Sequence, residues 1–532
     1  MNIQKIQYIF FIILILFSGY GLLALGRPEQ VTLNIIVSDQ QKPGIDGIID
    51  DFLASPLGAG VDNVNVIASG TRAEDQHEYL MTEMMAESNE FDVIGLDTIW
   101  PAQFAENGWI IELTDLLETN EMDDYVDGMV TSCTYEDKIW AYPYFMNLGV
   151  MFYRKDIISR NGFTIADFDT WDEFKTNTIK ILGNTTEQTL EPDLVGYVGQ
   201  FDAYEGGVCN FIEWLGGNGV TDIFDADGNP NLNTSKAQVA MEFLKGLTAP
   251  RYTGMWDYEN KTTGYIIPRS ALIMDEGSSV GKWLAGEAIF MRQWTFAYSL
   301  SADDFDLNAV DADGNYTQFG VTFLPTKTGA TTEKSSCVGG AVLAIPTYST
   351  HQTEAFNLIR FLGDKVAQLY ELTEVANFPA LKSAYDNLPT GYEWAKEFYD
   401  AFDKTLARPV HPKYSQISIE IADKFQDLLT GIKSVPYALG EMESAISEII
   451  AEEYTTEYTT PMTTTITTTK TITTTVTTTK TEETKISTSE SETEETSSEK
   501  PTPIGTPGFT FIILLISMGM ILSLKIVTKK RK

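Results

Sequence analysis

The stretch "FDVIGLDTIWPAQFAENGW" (Phe91–Trp109) decides the fold. It opens on a short apolar run that reads as a buried strand. It then turns into a segment with Pro101 in a first helical turn and Gly108 where a helix must stop. The same alternation occurs twice upstream. "VTLNIIVSD" (Val31–Asp39) sets Val31, Leu33, Ile35 and Val37 at strand spacing, and "GIDGIIDDFL" (Gly44–Leu53) sets Ile45, Ile48, Ile49 and Phe52 at helical spacing. "VNVIAS" (Val64–Ser69) reads as a second strand and "EDQHEYLMTEMMAE" (Glu74–Glu87) as a second helix. The order β-α-β-α-β specifies an α/β fold with a parallel, helix-covered sheet. Such sheets bind ligands beyond the carboxyl ends of their strands. Asp39, Arg72 and Asp97 each follow one of the three strands. A carboxylate–guanidinium–carboxylate set there suits the neighbouring hydroxyls of a polar ligand; the alternative is an ordinary loop ion network.

The chain has 532 residues, enough for two or three domains, and a formal net charge of −38, which repels phosphate backbones and excludes nucleic acid as a partner. Both ends are apolar. Lys5, the run "YIFFIILILF" (Tyr8–Phe17) and the small residues Ala24–Gly26 make residues 1–26 a signal peptide or an N-terminal anchor. At the other end "GFTFIILLISMGMILSLKIV" (Gly508–Val527) is long enough for a transmembrane helix, and the basic tail of residues 528–532 marks its cytoplasmic side. The body between them is therefore expected at the extracellular face of the cell membrane. Residues 453–507 are rich in Thr and Ser, lack apolar periodicity and read as a disordered, O-glycosylated stalk. Sequons at Asn184, Asn233, Asn260 and Asn315 fit a glycoprotein. Cys133, Cys209 and Cys337 permit at most one intrachain disulfide, and their spacing does not say which.

Catalytic patterns are sparse. His77, His351 and His411 form no metal-binding pair, and no phosphate loop is present. Gly277, Ser279 and Gly281 match the hydrolase Gly-x-Ser-x-Gly pattern, with "ALIMD" as a possible strand before it; Ser278 or Ser279 reads better as a helix N-cap. Two "DADGN" strings, Asp225–Asn229 and Asp311–Asn315, read as Asp-Gly turns rather than calcium loops. In "GQFDAYEGGVCNFIEWLGGNG" (Gly199–Gly219), Asp202 and Glu205 read as an N-cap and its return partner, Val208, Ile212 and Leu215 as the buried stripe, and Tyr204 as the residue best placed to face a cleft. No cofactor, metal or catalytic residue is expected.

Eight stretches, in order, resemble family 1 extracellular solute-binding proteins of ABC transporters, most closely their trehalose/maltose-binding branch. They are "FDVIGLDTIWPAQFAENGWIIEL", "IWAYPYFMNLGVMFYRKD", "WDEF", "YEGGVCNFIEWLGGNG", "GEAIFMRQWTFAY", "GVTFLPT", "SCVGGAVLAI" and "ARPVHPKYSQIS". The resemblance covers nearly all of Val31–Glu452. It implies a two-lobed periplasmic-binding-protein-like fold, with residues 31–146 and 301–348 in lobe 1 and residues 147–300 and 349–452 in lobe 2. It implies capture of a carbohydrate by hinge closure, and delivery to ABC permease subunits with a cytoplasmic ATPase. Carried over by matching position, Arg72 and Asp97 supply polar contacts from the first lobe. Asn147 stands where relatives have an aspartate, Trp294 stacks on a sugar ring, Arg408 reaches hydroxyls, and Tyr204, Glu205 and Trp256 complete the set. A pyranose offers C–H faces to aromatic walls and a hydroxyl rim to carboxylates and guanidinium. The competing readings are a secreted glycoside-active or esterase enzyme, and a cell-surface sensory or adhesion module.

Overall fold

The computed structural model describes residues 31–452, apart from residues 71, 226–227, 249–263, 305–306, 308, 311–315, 330–334 and 403–404. All of them fall in one of the chain's two structural units, Met1–Tyr458; the other is Thr459–Lys532. The expected signal or anchor segment, stalk, transmembrane helix and basic tail lie outside the described residues, as do Trp256, Asn260 and Asn315. Among the described residues no helix is long and apolar enough to cross a membrane.

The opening alternation folds as its periodicity predicts. Strands β1 (Val31–Val37), β2 (Val61–Ala68) and β3 (Val93–Asp97) are parallel in the order β2-β1-β3. They are joined by helices α1 (Lys42–Ala54) and α2 (Ala73–Met85). From Ile35 to Val37 β1 is buried on both faces, as a central strand must be. Helix α1 buries Ile45, Ile48, Ile49 and Phe52, the stripe expected from their spacing. Helix α3 (Pro101–Glu106) begins on Pro101, and Gly108 turns the chain out of it at φ +69°.

A short hairpin, β4 (Thr134–Tyr135) and β5 (Lys138–Ile139), leads into the thirteen-residue β6 (Tyr142–Arg154), nearly all of it buried. The later strands are β7 (Val195–Val198), β8 (Ala288–Trp294), β9 (Phe319–Thr322), β10 (Ser336–Ala344), β11 (Phe378–Pro379) and β12 (Thr405–Leu406). The later helices that matter here are α4 (Glu205–Gly216), α5 (Glu276–Leu284), α6 (Gln352–Leu362), α7 (Lys365–Val375), α8 (Tyr414–Thr430) and α9 (Val435–Ala451).

Strand β6 serves both lobes. Its Tyr142–Leu148 half pairs antiparallel with β10, which also pairs with β3, and touches β11. From Gly149 onward β6 pairs with β8 and β9, and β7 extends that second group. Gly149 is required where the partners change: a Cβ there would stand 1.8 Å from Oε1 of Glu213 and 2.3 Å from Nη2 of Arg292. The core of the second lobe is aromatic, with Trp171 stacked on Trp214 at 3.7 Å and Phe211 against Phe425 of α8 at 5.3 Å.

Two return segments sit on the opposite side from the one expected. Strand β9, within 301–348, pairs with Met151–Arg154 of β6 and so belongs with the second sheet. Helices α6 and α7, within 349–452, pack on α1, with Phe361 5.5 Å from Phe52, and β11 joins the first half of β6. Burial against a partner far away in sequence decides such placements, and no local pattern reports it.

Two caps also differ. Helix α4 starts at Glu205 with Tyr204 as N-cap and no side-chain cap bond, so Asp202 is not the cap. Helix α5 is capped by Asp275, with Ser278 as its reciprocal partner rather than the cap. The first three residues of "ALIMD" lie in a 3-10 turn (Arg269–Ile273), and none of the five is in a strand. Asp225, in the first "DADGN", accepts from the backbone N–H of Asn229 and closes its own turn.

Candidate ligand-binding site

A cavity of about 110 Å³ lies where the carboxyl ends of β1 and β3 and the start of α2 meet the N-termini of α4 and α5. The aromatic side chains on its wall are Phe145, Tyr204, Trp294 and Phe296, and the charged ones are Asp97, Glu205, Glu276 and Arg408. Asn147, Asn377 and Gln41 add amide groups, and Gly339–Gly340 forms part of the wall.

Arg408, 6 % exposed, is the electrostatic centre. Its Nη2 donates to Asp97 at 2.5 Å and to the Thr98 hydroxyl at 3.0 Å; its Nη1 donates to Glu205 at 2.9 Å. The guanidinium thus ties a carboxylate at the end of β3 to one in the first turn of α4. Glu205 also accepts from the hydroxyls of Tyr414 and Ser418. Burial pushes its carboxyl above the usual range, against the lowering pull of Arg408. The Nε of Arg408 and Oδ1 of Asn377 are buried without a hydrogen-bond partner among the described residues.

Two more contacts join the same elements. Arg72 reaches Asp202 at 3.4 Å, with its guanidinium carbon 4.6 Å from the Tyr204 ring centre. Glu74 accepts from the backbone N–H of Glu205 at 2.5 Å, and burial raises its carboxyl to about 7. The aromatic wall is held from behind. Trp294 lies over the Arg292 guanidinium at 4.1 Å, and its indole N–H donates to Glu276 at 3.2 Å. The Tyr204 hydroxyl donates to the same carboxylate at 2.6 Å. Arg292 is fully buried in a two-pronged pair with Glu213, at 2.6 and 2.8 Å. Gly340, at φ +135°, lets β10 approach β6 so closely that a Cβ would meet the Phe145 carbonyl at 2.3 Å.

The hydrolase pattern has no such setting. Ser279 is fully buried on α5, donates to the Asp275 carbonyl at 2.7 Å and accepts from Gln200 and Gln293. None of the three histidines is among its partners. His77 bonds to Gln103, His351 to Asp92 and His411 to the Lys413 backbone. Among the described residues no cluster could hold a metal.

Residues 63–369, more than half of the chain, match the model of a bacterial extracellular solute-binding protein family. The chain belongs to that family. This solute-binding protein is 26 % identical over 372 residues to a probable ABC transporter-binding protein of Deinococcus radiodurans, covering 69 % of this chain and 82 % of the relative. Among solved structures, maltose-bound MalE3 of T. maritima matches at 25 % identity and a TM-score of 0.67, over 79 % of this chain and 99 % of that one. The GacH receptor of Streptomyces glaucescens, solved unliganded and with acarbose, has the same fold at 18 % identity and a TM-score of 0.64, over 79 % and 98 % of the two chains.

Of the residues singled out from sequence, Asp97, Asn147, Tyr204, Glu205, Trp294 and Arg408 line this cavity together. Arg72 stands behind Tyr204 rather than on the wall. Asp39 is exposed in the loop after β1, where Ser38, Gln40 and Gln41 face the cavity instead. Asn147 is held by the Thr295 hydroxyl, which donates to its Oδ1 at 2.8 Å. Glu276 and Asn377 escaped the sequence reading. Glu276 immediately precedes the Gly-x-Ser-x-Gly string, where its place in the first turn of α5 was a usable signal; Asn377 follows α7 with no local mark.

Proposed function

We propose that this solute-binding protein captures a di- or oligosaccharide of the trehalose or maltose kind between its lobes by hinge closure, and passes it to a membrane permease driven by a cytoplasmic ATPase. One observation carries the reading: a single cavity joins aromatic rings to a carboxylate–guanidinium–carboxylate bridge that spans elements of both lobes. The rings suit pyranose C–H faces, and the fork and its carboxylates suit vicinal hydroxyls. Sugar ligands named for similar structures, maltose and acarbose, support the class. Asp97, Asn147, Tyr204, Glu205, Trp294 and Arg408, joined by Glu276 and Asn377, form the binding set, with Arg72 positioning Tyr204. The apolar run 508–527 with its basic tail supports an extracellular receptor held by a C-terminal membrane helix on a Thr/Ser-rich stalk.

The test is a thermal-shift screen of residues 27–452 against trehalose, maltose, maltotriose and mannitol. A ligand that binds only the folded form raises the melting temperature. Trp294→Ala is expected to remove the rise while the unliganded variant still melts cooperatively. Absence of a shift with every sugar refutes the carbohydrate reading. Anchoring is checked separately: the full chain is expected in the membrane fraction, and a chain ending at residue 507 in the soluble one.

A further inference from the structure

The cysteines, whose pairing the sequence leaves open, are separated by the fold. Cys133 ends the short helix Asp127–Ser132 in the first lobe, with its carbonyl accepting from Trp140. Cys209 lies on α4 at the cavity wall, and Cys337 lies near the start of β10. The backbone N–H of Cys337 donates to Oε1 of Glu213 at 3.1 Å. Glu213 is one helical turn beyond Cys209, so both residues share the face of α4 that meets β10. All three cysteines are free thiols in this structure, and the Cys337 side chain stands close enough to Cys209 to add to the effect of burial in raising its thiol. Their hydrogen bonds are weak ones, 3.9 Å from Cys209 to Glu205 and 3.7 Å from Cys337 to the Val338 carbonyl. All three cysteines are fully buried.

We propose that Cys209 and Cys337 form a disulfide at the wall of the ligand cavity, leaving Cys133 as the free thiol. The family is extracellular, and such a compartment lets a disulfide persist. One cysteine, as thiolate, attacks a small-molecule disulfide and expels one thiolate. The second cysteine attacks the resulting mixed disulfide, closes the Cys209–Cys337 bond and expels the other. Two electrons pass to the small disulfide, which leaves as two thiols carrying the protons of the two cysteines. Burial raises the Cys209 thiol well above its usual range, so the exchange precedes the packing of α4 on β10 and belongs to folding. The bond joins the helix that presents Glu205 to the strand that presents Gly339–Gly340, fixing two parts of the cavity wall to each other.

The experiment uses the full chain folded in a mildly oxidising glutathione buffer, then denatured without reductant and treated with iodoacetamide. One alkylated cysteine, Cys133, is expected, with three after reduction. A linked peptide pair containing Cys209 and Cys337 is expected to separate on reduction. In Cys209→Ser the same treatment is expected to modify both Cys133 and Cys337. Three alkylated cysteines before reduction, or a linkage that includes Cys133, overturns the proposal; the wild-type mass decides it even if the variant does not fold.

Discussion

Glu371, on α7, is a carboxyl that the fold has removed from water without supplying a cation. It is 1 % exposed, accepts from the Tyr144 hydroxyl at 3.0 Å and from the Asn377 amide at 2.7 Å, and has no ion-pair partner among the described residues. Burial, opposed by those two bonds, raises it from 4.5 to about 7. Between those values the folded protein holds a proton that the unfolded chain releases, so stability falls as pH rises. The contribution is complete below about pH 4.5 and gone above about pH 7. Moving a carboxyl that far corresponds to about 3 kcal/mol at 1.36 kcal/mol per pH unit. Glu371→Gln mimics the protonated acid and removes this titration. Urea unfolding of both proteins at pH 5 and pH 8, without ligand, measures it. Because pH 5 already lies above the unfolded value, the variant is expected to gain about 2.5 kcal/mol on the wild type between the two conditions. Glu74, raised to the same value, contributes equally to both proteins and cancels. A stability gap that is identical at the two pH values refutes the reasoning.

Other outcomes follow from the same geometry. Arg292→Met leaves Glu213 buried without its cation and is expected to cost about 3–5 kcal/mol in chemical denaturation, with Arg292→Met plus Glu213→Gln recovering part of the loss. Gly340→Ala adds a Cβ at φ +135° against the Phe145 carbonyl and is expected to destabilise by about 2 kcal/mol or more, read as a lowered Tm. Glu276→Gln replaces one of two acceptors by an amide N–H₂ facing a donor from Trp294 or Tyr204, and is expected to weaken sugar binding about tenfold by calorimetry.

The first five elements were legible from short-range pattern: the helices from apolar residues at helical spacing, such as Ile45, Ile48, Ile49 and Phe52 of α1, and the strands from short apolar stretches. Asp97 was legible as a strand-end residue because it closes the apolar run of β3. What failed was set by distance along the chain. Asp202 has the composition of a cap, but Arg72, 130 residues upstream, takes its carboxylate instead. Strand β9 and helices α6–α7 sit where partners from the first 160 residues bury them, and nothing local announces that choice. Glu276 and Asn377 reach the cavity from separate elements, so their shared surroundings exist only after folding. The resemblance located Trp294 and Arg408; it did not reveal that protein carboxylates already occupy both Nη groups of Arg408.

Strand β6 has a mechanical consequence. It is one uninterrupted length of backbone bonded first to β10 and β11 and then to β8 and β9. A rotation of one half relative to the other must wind that rod about its long axis near Asn147–Gly149, like a torsion bar. The Gly149 position offers no side chain to resist the winding, while the Arg292–Glu213 pair clamped over it opposes sideways bending.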